Sequence, residues 1–363
     1  MMSSCGGGTK SSSHGDGDTV SLKYAELLTI VKYKDYTVAS LADPWHKGKT
    51  LHTYVLVPRS SGDVKDLPKG TVIRTPLQRA ISFTTVHAGL IMDMGKQNAI
   101  AGVADLKYIK IPFIQQQCRS GKIADVGNSM SPSIEKIIDA NPDAILVSPF
   151  DNSGGYGKLE EINIPILECS DYMETSALGR AEWIRFYGML FGAEHKADSM
   201  FAVVDSSYNA LKAVAAKSKS HNSLILDKKT GSVWYLPGGR STLGIMMADA
   251  RAGYAFSSDS HNGSLSLPFE TVLEKAGNSD IWMFRYDSDH DITYKELLSE
   301  YHGYSQIRAF QERRCYGCNV QLTRFYEESP FRPDYLLSDF IQIAHPEISG
   351  LGGLRYFKKL SAN

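Results

Sequence analysis

From residue 80 onward, short apolar runs alternate with stretches whose apolar residues recur at helical spacing. Ala80-Ile81-Ser82-Phe83 predicts a strand, and residues 86–94 predict a helix that stops at Gly95, since glycine readily takes the left-handed conformation that closes a helix. Ala99-Ile100-Ala101-Gly102-Val103 predicts the next strand, 134–140 a short helix, and Ile164-Pro165-Ile166-Leu167-Glu168 a further strand. Ala144-Ile145-Leu146-Val147-Ser148 is nearly all apolar, as a strand covered on both faces must be. Strand and helix in alternation predict a mostly parallel sheet.

Residues 176–216 contain no Pro and are rich in Ala, Met, Phe and Leu at helical spacing, interrupted only at Gly188 and Gly192. They predict one helix followed by a second, long one. The strand and helix rhythm then restarts. Ser223-Leu224-Ile225-Leu226, Ser232-Val233-Trp234-Tyr235-Leu236 and Asp280-Ile281-Trp282-Met283-Phe284 predict strands, and 244–252, 269–276 and 334–344 predict helices. The simplest architecture is two α/β lobes joined by one long helix.

Ahead of the first lobe the pattern is hairpin-like. Tyr36-Thr37-Val38-Ala39 and Thr53-Tyr54-Val55-Leu56-Val57 are β-rich runs separated by Asp43-Pro44-Trp45-His46-Lys47-Gly48. The start of the chain is dominated by Gly, Ser and other small or polar residues, which bury little apolar area and read as a flexible tether. The expected divisions are a tether over 1–19, a β-rich appendage over 20–75, an N-terminal α/β lobe over 76–175, a helical linker over 176–216 and a C-terminal α/β lobe over 217–363. Ser3-Ser4-Cys5-Gly6 resembles the processing site of a bacterial lipoprotein, in which Cys5 would carry the lipid; otherwise Cys5 is an ordinary tail cysteine.

Composition narrows the function classes. Of 363 residues, 42% are hydrophobic and 22% charged, which excludes disorder as the main state. Lys and Arg number 39 against 40 Asp and Glu, so the formal charge of −1 offers no basic field for a nucleic acid. No run approaches the roughly 18 consecutive apolar residues of a membrane helix. Besides Cys5 there are Cys118, Cys169, Cys315 and Cys318, and four cysteines allow three pairings that sequence does not choose between. Cys315-Tyr316-Gly317-Cys318 is a C-x-x-C without the second pair or spaced histidines of a zinc site, and its flanks do not read as the helix start of a redox centre. Buried or locally paired cysteines are expected.

Several motifs occur in an order that carries a family resemblance. They are Ile81-Ser82-Phe83-Thr84-Thr85 with Met94-Gly95, then Ile100-Ala101-Gly102-Val103, Val126-Gly127, Ser133-Ile134-Glu135-Lys136-Ile137, Pro142-Asp143-Ala144-Ile145-Leu146-Val147 and Ile164-Pro165-Ile166. The second half adds Leu236-Pro237-Gly238-Gly239-Arg240-Ser241, Leu267-Pro268-Phe269-Glu270-Thr271-Val272-Leu273 and His345-Pro346-Glu347. In this series, spanning about residues 76–347, the chain resembles the periplasmic substrate-binding proteins of ferric-siderophore, haem and cobalamin ABC importers. It departs from their pattern over 20–74 and 313–333. The resemblance implies two Rossmann-like lobes joined by a single long α-helix, with the N-terminal appendage added, and a ligand held between the lobes.

Open α/β sheets form crevices at the carboxyl ends of their strands. On that rule the candidate ligand-binding residues of the first lobe are Thr84, Thr85 and His87, then Asp105 and Tyr108, Asn128 beside Ser129 and Met130, Phe150 and Tyr172. The second lobe offers Trp234, Tyr235, Gly239, Arg240 and Ser241, then Arg285 and Tyr286, and finally Tyr316 and Arg332. Arg charge with Tyr and Trp faces suits an anionic, aromatic metal chelate. About half of these aromatics are expected only to pack the core. His87 is more readily a hydrogen-bonded structural histidine than an iron ligand. Trp234 and Tyr172 are expected to face one ligand from opposing lobes.

The resemblance further implies that Glu135 and Glu270, one per lobe at helix starts, dock onto a permease; the alternative is that they only favour their helix N-termini. A ferric siderophore is the first ligand, then cobalamin, then haem, because Asn128 follows Val126-Gly127 where many haem binders hold a Tyr. The expected partners are the chelate and an ABC permease and ATPase complex, with no nucleic acid, membrane contact only through a lipid anchor, and a monomeric chain in the periplasm. No cofactor, resident metal or catalytic residue is expected. The alternative class is an exported hydrolase, but no G-x-S-x-G, H-E-x-x-H or paired-carboxylate motif stands out. Gly238-Gly239 lacks the rest of a phosphate loop, and Asp287-Ser288-Asp289-His290-Asp291 lacks the Gly and terminal Glu of a calcium loop.

Overall fold

The computed structural model describes residues 17–151 and 155–361. Cys5 and nearly all of the expected tether lie outside the described residues. The end of the expected tether is strand instead, with β1 (Asp18–Thr19) pairing β2 (Leu28–Lys32). These strands, β3 (Thr37–Ala42), β4 (Thr50–Pro58) and β5 (Thr71–Thr75) form a sheet in sequence order, antiparallel except for the parallel pair β4 and β5. The expected antiparallel appendage is thus mixed at its last strand. Its inner face, including Leu28, Ile30, Leu41, Tyr54 and Ile73, shares one core with the first lobe. The Tyr54 hydroxyl accepts from the Glu168 amide at 2.8 Å and donates to the Ile166 carbonyl at 3.2 Å.

The first lobe is a parallel sheet of β6 (Ala80–Ser82), β7 (Ile100–Val103), β8 (Ala124–Asp125), β11 (Ala144–Val147) and β12 (Ile166–Glu168), with a small hairpin, β9 (Gly127–Asn128) and β10 (Ser131–Pro132), between β8 and β11. Its helices are α1 (Thr85–Asp93), α2 (Pro112–Arg119), α3 (Ile134–Ala140) and α4 (Lys158–Glu161). The strand order β12-β11-β6-β7-β8 means that the chain builds outward on one side of β6, then returns to build on the other. The order reverses between β6 and β11, and at such a reversal the loops leaving the two strands diverge and open a crevice. Both sheet faces are covered: Ala144 and Leu146 join the core shared with the appendage, and Ile145 and Val147 join a separate cluster with Phe83, Ile137 and Leu159.

The linker comprises three helices rather than two: α5 (Ala177–Glu182), α6 (Ile184–Phe191) and α7 (Glu194–Ala215). Gly192 ends α6 with φ +60, while Gly188 stays inside it, because a Cβ there would lie 2.4 Å from that of Ala197 on α7. At 1.5 Å per residue the 22 residues of α7 span roughly 33 Å. Ala197 lies in the first lobe's core, whereas Phe201, Val204 and Tyr208 lie in the second's. Two buried carboxylates hold the loop before β2. Glu182 accepts from the amides of Lys23, Tyr24 and Ala25 at 2.7–2.9 Å, and Glu174 from those of Glu26 and Leu27 at 3.0–3.1 Å.

In the second lobe β13 (Leu224–Leu226), β17 (Ile281–Tyr286) and β18 (Cys315–Asn319) are parallel, and β19 (Lys358–Lys359) runs antiparallel to β18. The remaining strands, β14 (Lys229–Thr230), β15 (Val233–Pro237) and β16 (Ser264–Leu267), form a separate antiparallel sheet. In β15, Trp234 and Leu236 are buried while Tyr235 is exposed, the alternation of a one-sided sheet. The helices are α8 (Thr242–Asp249), α9 (Phe269–Ala276), α10 (Tyr294–Glu300), α11 (Arg308–Gln311), α12 (Phe325–Glu328) and α13 (Pro333–Ala344). The fold is α/β in two lobes, as expected.

Candidate functional site

A cavity of about 460 Å³ opens where the strand order reverses. Phe83 and Thr84 leave β6 into it, Ser148 and Phe150 leave β11, Ser129 to Pro132 of the β9–β10 hairpin form a second wall, and Tyr156 and Lys158 a third. The lining residues carry hydroxyls, aromatic rings, a thioether and one ammonium, with no carboxylate, imidazole or thiol among them. Such a surface suits an organic ligand with polar edges.

Local hydrogen bonds set the hairpin wall. Asn128 Oδ1 accepts from the Met130 amide at 2.8 Å, and Ser129 Oγ donates to Asp105 Oδ2 at 2.5 Å. Asp105, held at φ +51, therefore stands behind the wall, and the Asn128 amide shapes the turn, while Met130 at 75% exposure overhangs the cavity. Tyr172 donates its hydroxyl to the Pro149 carbonyl and so fixes the loop that presents Phe150. Tyr108 is exposed outside the lining.

His87 is buried on α1, and both ring nitrogens are engaged, Nδ1 with Thr84 Oγ1 at 2.5 Å and Nε2 with Asp171 Oδ1 at 2.8 Å. This corrects the expectation that it touches ligand. Asp171 also accepts from Tyr187 at 2.7 Å and from Arg180 at 3.0 Å. Burial opposes charge on His87, but Cys169 and Asp171 beside it raise its pKa from 6.5 to about 10. Burial likewise opposes charge on Asp171, and the two cations around it prevail, lowering it to about 2.

The second lobe meets the first beside this cluster. Thr85 Oγ1 donates to Glu327 Oε1 at 3.0 Å, Arg324 pairs with Asp93 at 3.2 Å, and the Phe331 ring packs on His87 and Tyr187. Thr84 thus faces the cavity and Thr85 the opposing lobe. Thr242 Oγ1 adds a contact to the Glu174 carbonyl at 3.4 Å.

Trp234 is fully buried among Phe269, Trp282 and Tyr304, so it does not oppose Tyr172 across a ligand. Tyr286 is buried with its hydroxyl on Asp291, and Tyr316 is half-buried within β18. Gly239 has no room for a side chain, since a Cβ would lie 2.5 Å from the carbonyls of Asp259 and Ser257; Ser241 caps α8, and Tyr235 and Arg240 are exposed. Arg285 makes a bidentate pair with Asp227 at 2.6 and 2.8 Å, its guanidinium 5.5 Å from the Phe325 ring centre. Arg332 forms a similar pair with Asp334 and lies over Tyr335. These arginines are charge-paired, whereas Lys158 has no ion pair among the described residues.

The four described cysteines are free. Cys315 and Cys318 sit three apart on one strand and so project to opposite faces, Cys315 toward the Ala309 carbonyl and Cys318 toward Thr323. Burial pushes their thiols up to about 12 and about 11. In the acidic turn, Asp289 pairs with His290 and Asp291 with Lys358. No group of three or more metal-ligating side chains occurs among the described residues.

The sequence profile of a periplasmic binding protein family matches residues 90–322. The chain belongs to that family. This periplasmic binding protein is similar to two uncharacterized lipoproteins of Methanocaldococcus jannaschii, 28% identical over 76% of this chain and 67% of the relative, and 25% identical over 93% and 86%. Its fold is shared with a periplasmic heme binding protein from Pseudomonas aeruginosa (TM-score 0.61, 15% identity, 79% of this chain and 99% of the other). It is shared also with the TroA-like periplasmic binding protein FepB from Veillonella parvula (0.58, 16%, 81% and 97%) and the vitamin B12 binding protein BtuF of Vibrio cholerae (0.53, 15%, 74% and 97%). The family match begins at residue 90, within α1, and the N-terminal sheet precedes it. No helix among the described residues is long and apolar enough to cross a membrane.

Of the sequence-derived candidates, Thr84 and Phe150 line the cavity of this binding protein, with Ser129 and Met130 beside Asn128. Sequence reasoning passed over Phe83, Ser131, Ser148, Tyr156 and Lys158. The first and third end predicted strands, which was the available signal; Tyr156 precedes and Lys158 begins α4, a one-turn helix that no pattern marked. Glu135 and Glu270 are exposed in the first turns of α3 and α9, one on each lobe.

Proposed function

We propose that the chain is the substrate-binding component of an ABC importer, capturing an iron chelate, first of all a ferric siderophore, and delivering it to a membrane permease. The observation that carries this reading is the cavity at the strand-order reversal, lined by hydroxyls and aromatic groups of the first lobe alone rather than between the lobes as expected. Cobalamin and haem are the alternatives. Use of Asn128 to shape the hairpin, where a haem binder's Tyr would stand, weighs against haem. Residues 76–175 and 217–363 act as the gripping lobes and 176–216 as the linker. Because α7 contributes to both cores, the lobes move little on binding.

In this reading Glu135 and Glu270 meet permease arginines, Cys5 carries a lipid that holds a monomeric chain at the outer face of a membrane, and the chain performs no catalysis. Native mass spectrometry with visible absorbance, on protein incubated with a ferric trihydroxamate, a ferric tricatecholate, haemin and cyanocobalamin, tests it. One chelate retained per chain is expected. Retention of none overturns the reading.

A further inference from the structure

One wall of the cavity is held from outside the lobe that forms it. Tyr156 lines the cavity, and with Gly155 it also lines a second one of about 630 Å³, whose walls include His52, Thr71, Glu160 and Glu168. The Tyr156 ring is therefore a partition, and moving it aside joins the two spaces. Gly155 and Gly157 flank it at φ +92 and +55, conformations that glycine takes without strain, so the backbone here gives the ring little direction. The ring rests on the edge of the apolar cluster that includes Phe83 and Leu159, and apolar contact is non-directional. What aims the ring is its hydroxyl.

That hydroxyl donates to Glu168 Oε1 at 2.9 Å, and the other carboxylate oxygen accepts from His52 Nδ1 at 3.1 Å. A carboxylate only accepts, so Nδ1 carries hydrogen whether the imidazole is neutral or charged, and the chain of bonds is the same in both states. Beyond it Nε2 meets Thr71 Oγ1 at 2.8 Å, and the His52 ring stacks on that of Tyr54 with centres 4.4 Å apart. His52 and Tyr54 are two apart on β4 and so share a face. Both reach one residue at the end of β12: Tyr54 accepts from the Glu168 amide, and His52 donates to the Glu168 carboxylate.

Resting on the proposed function for its ligand, we infer that the N-terminal sheet builds part of the binding cavity: His52 is a positioning residue that, through Glu168, sets Tyr156 as a cavity wall. With its hydroxyl committed to Glu168, Tyr156 offers a ligand its ring and no hydrogen-bond donor. Once His52 is lost, the carboxylate is tied to Tyr156 at one oxygen alone and is free to turn, so the wall and the partition between the cavities loosen together.

Nitration by tetranitromethane, which attacks the phenolate, tests this when each tyrosine is read singly by peptide mapping. Burial and the Glu168 carboxylate hold the Tyr156 hydroxyl above the usual tyrosine range, so it reacts slowly in wild type. Nitration of Tyr156 is expected to rise at least about tenfold in Glu168→Ala, the factor for losing one hydrogen bond to a charged acceptor, and to rise less steeply in His52→Ala. His52→Asn, whose amide nitrogen takes the place of Nδ1, keeps the wild-type rate. Tyr187, buried elsewhere, stays unmodified throughout, which separates local release from unfolding; should Glu168→Ala not fold, the two His52 variants decide. Titration calorimetry with a ferric trihydroxamate, a ferric tricatecholate, haemin and cyanocobalamin supplies the second readout. Whichever of these wild type binds is expected to bind His52→Ala and Tyr156→Ala about three- to tenfold more weakly and His52→Asn as wild type does. Equal nitration of Tyr156 in wild type and His52→Ala, a His52→Asn variant that reacts as His52→Ala does, or affinity unmoved in His52→Ala overturns the inference and leaves the proposed function standing. Binding of none of the four by wild type overturns the proposed function, and the nitration rates then decide by themselves whether His52 positions Tyr156.

Discussion

The Phe331 ring, carried by the second lobe, packs 5.8 Å from the Tyr187 ring of the linker's α6, centre to centre. Phe331 belongs to the first lobe's core, although it lies just before α13 of the second. Phe331→Ala is expected to cost about 3–5 kcal/mol, the range for truncating a buried aromatic ring. Urea melts give the cost, and small-angle scattering registers looser lobes. A loss under about 1 kcal/mol in those melts places the ring outside a packed core.

Glu182→Gln removes a carboxylate that three successive backbone amides share. Hydrogen bonds to a charged acceptor are worth about 1.5–3 kcal/mol each in favourable settings, and glutamine keeps only one of the two oxygens. Hydrogen exchange is expected to accelerate over residues 20–32 and to stay unchanged in β17. Uniform acceleration throughout the chain contradicts a local anchor.

The His87–Asp171 pair sets a pH window. His87, raised to about 10, contributes stability that is complete below its unfolded value near 6.5 and is lost as pH climbs through about 10. Asp171, lowered to about 2, contributes stability that is complete above 3.8 and is lost as pH falls through about 2. His87→Gln should therefore flatten the decline of the melting temperature between about pH 6.5 and 10, and a decline over that window that is the same in wild type and His87→Gln argues against the charged imidazole.

Cys315 and Cys318 are expected to resist alkylation in the folded protein, since only the thiolate reacts and burial raises both thiols. Reducing agent should leave the melting temperature unchanged, and metal analysis should find no stoichiometric zinc. One zinc per chain, or a mass two units low across this motif, refutes the expectation.

Glu135→Ala with Glu270→Ala separates docking from helix stabilisation. Both side chains are exposed, so melting and chelate affinity should stay near wild type while stimulation of the cognate transporter's ATPase is lost. Full stimulation by the double variant moves the docking surface elsewhere.

The fold was legible wherever burial wrote a period into the chain. Helices α3 and α9 begin after Ser133 and Pro268, as their motifs suggest, and the apolar run of β11 reads directly as a strand covered on both faces. Helix α2 was not legible, because it buries Ile114 alone and presents glutamines elsewhere. The site was legible as far as strand ends mark it, at Thr84 and Phe150. Which aromatic faces inward depends on strand parity: Trp234 and Tyr235 are adjacent, yet the first is core and the second surface. The role of His87 depends on an acid 84 positions away, which no local pattern reveals.

A terminal strand of a parallel sheet offers unpaired amides and carbonyls on which another chain can build, and crowding makes such templating faster. β12 is that strand here, and residues 166 and 168 turn their backbone groups outward. One tyrosine hydroxyl, from the sheet that precedes the matched residues, occupies both. Beyond adding mass to the first lobe, the N-terminal sheet therefore occupies two of the backbone groups on which a further strand could have been added at the β12 edge.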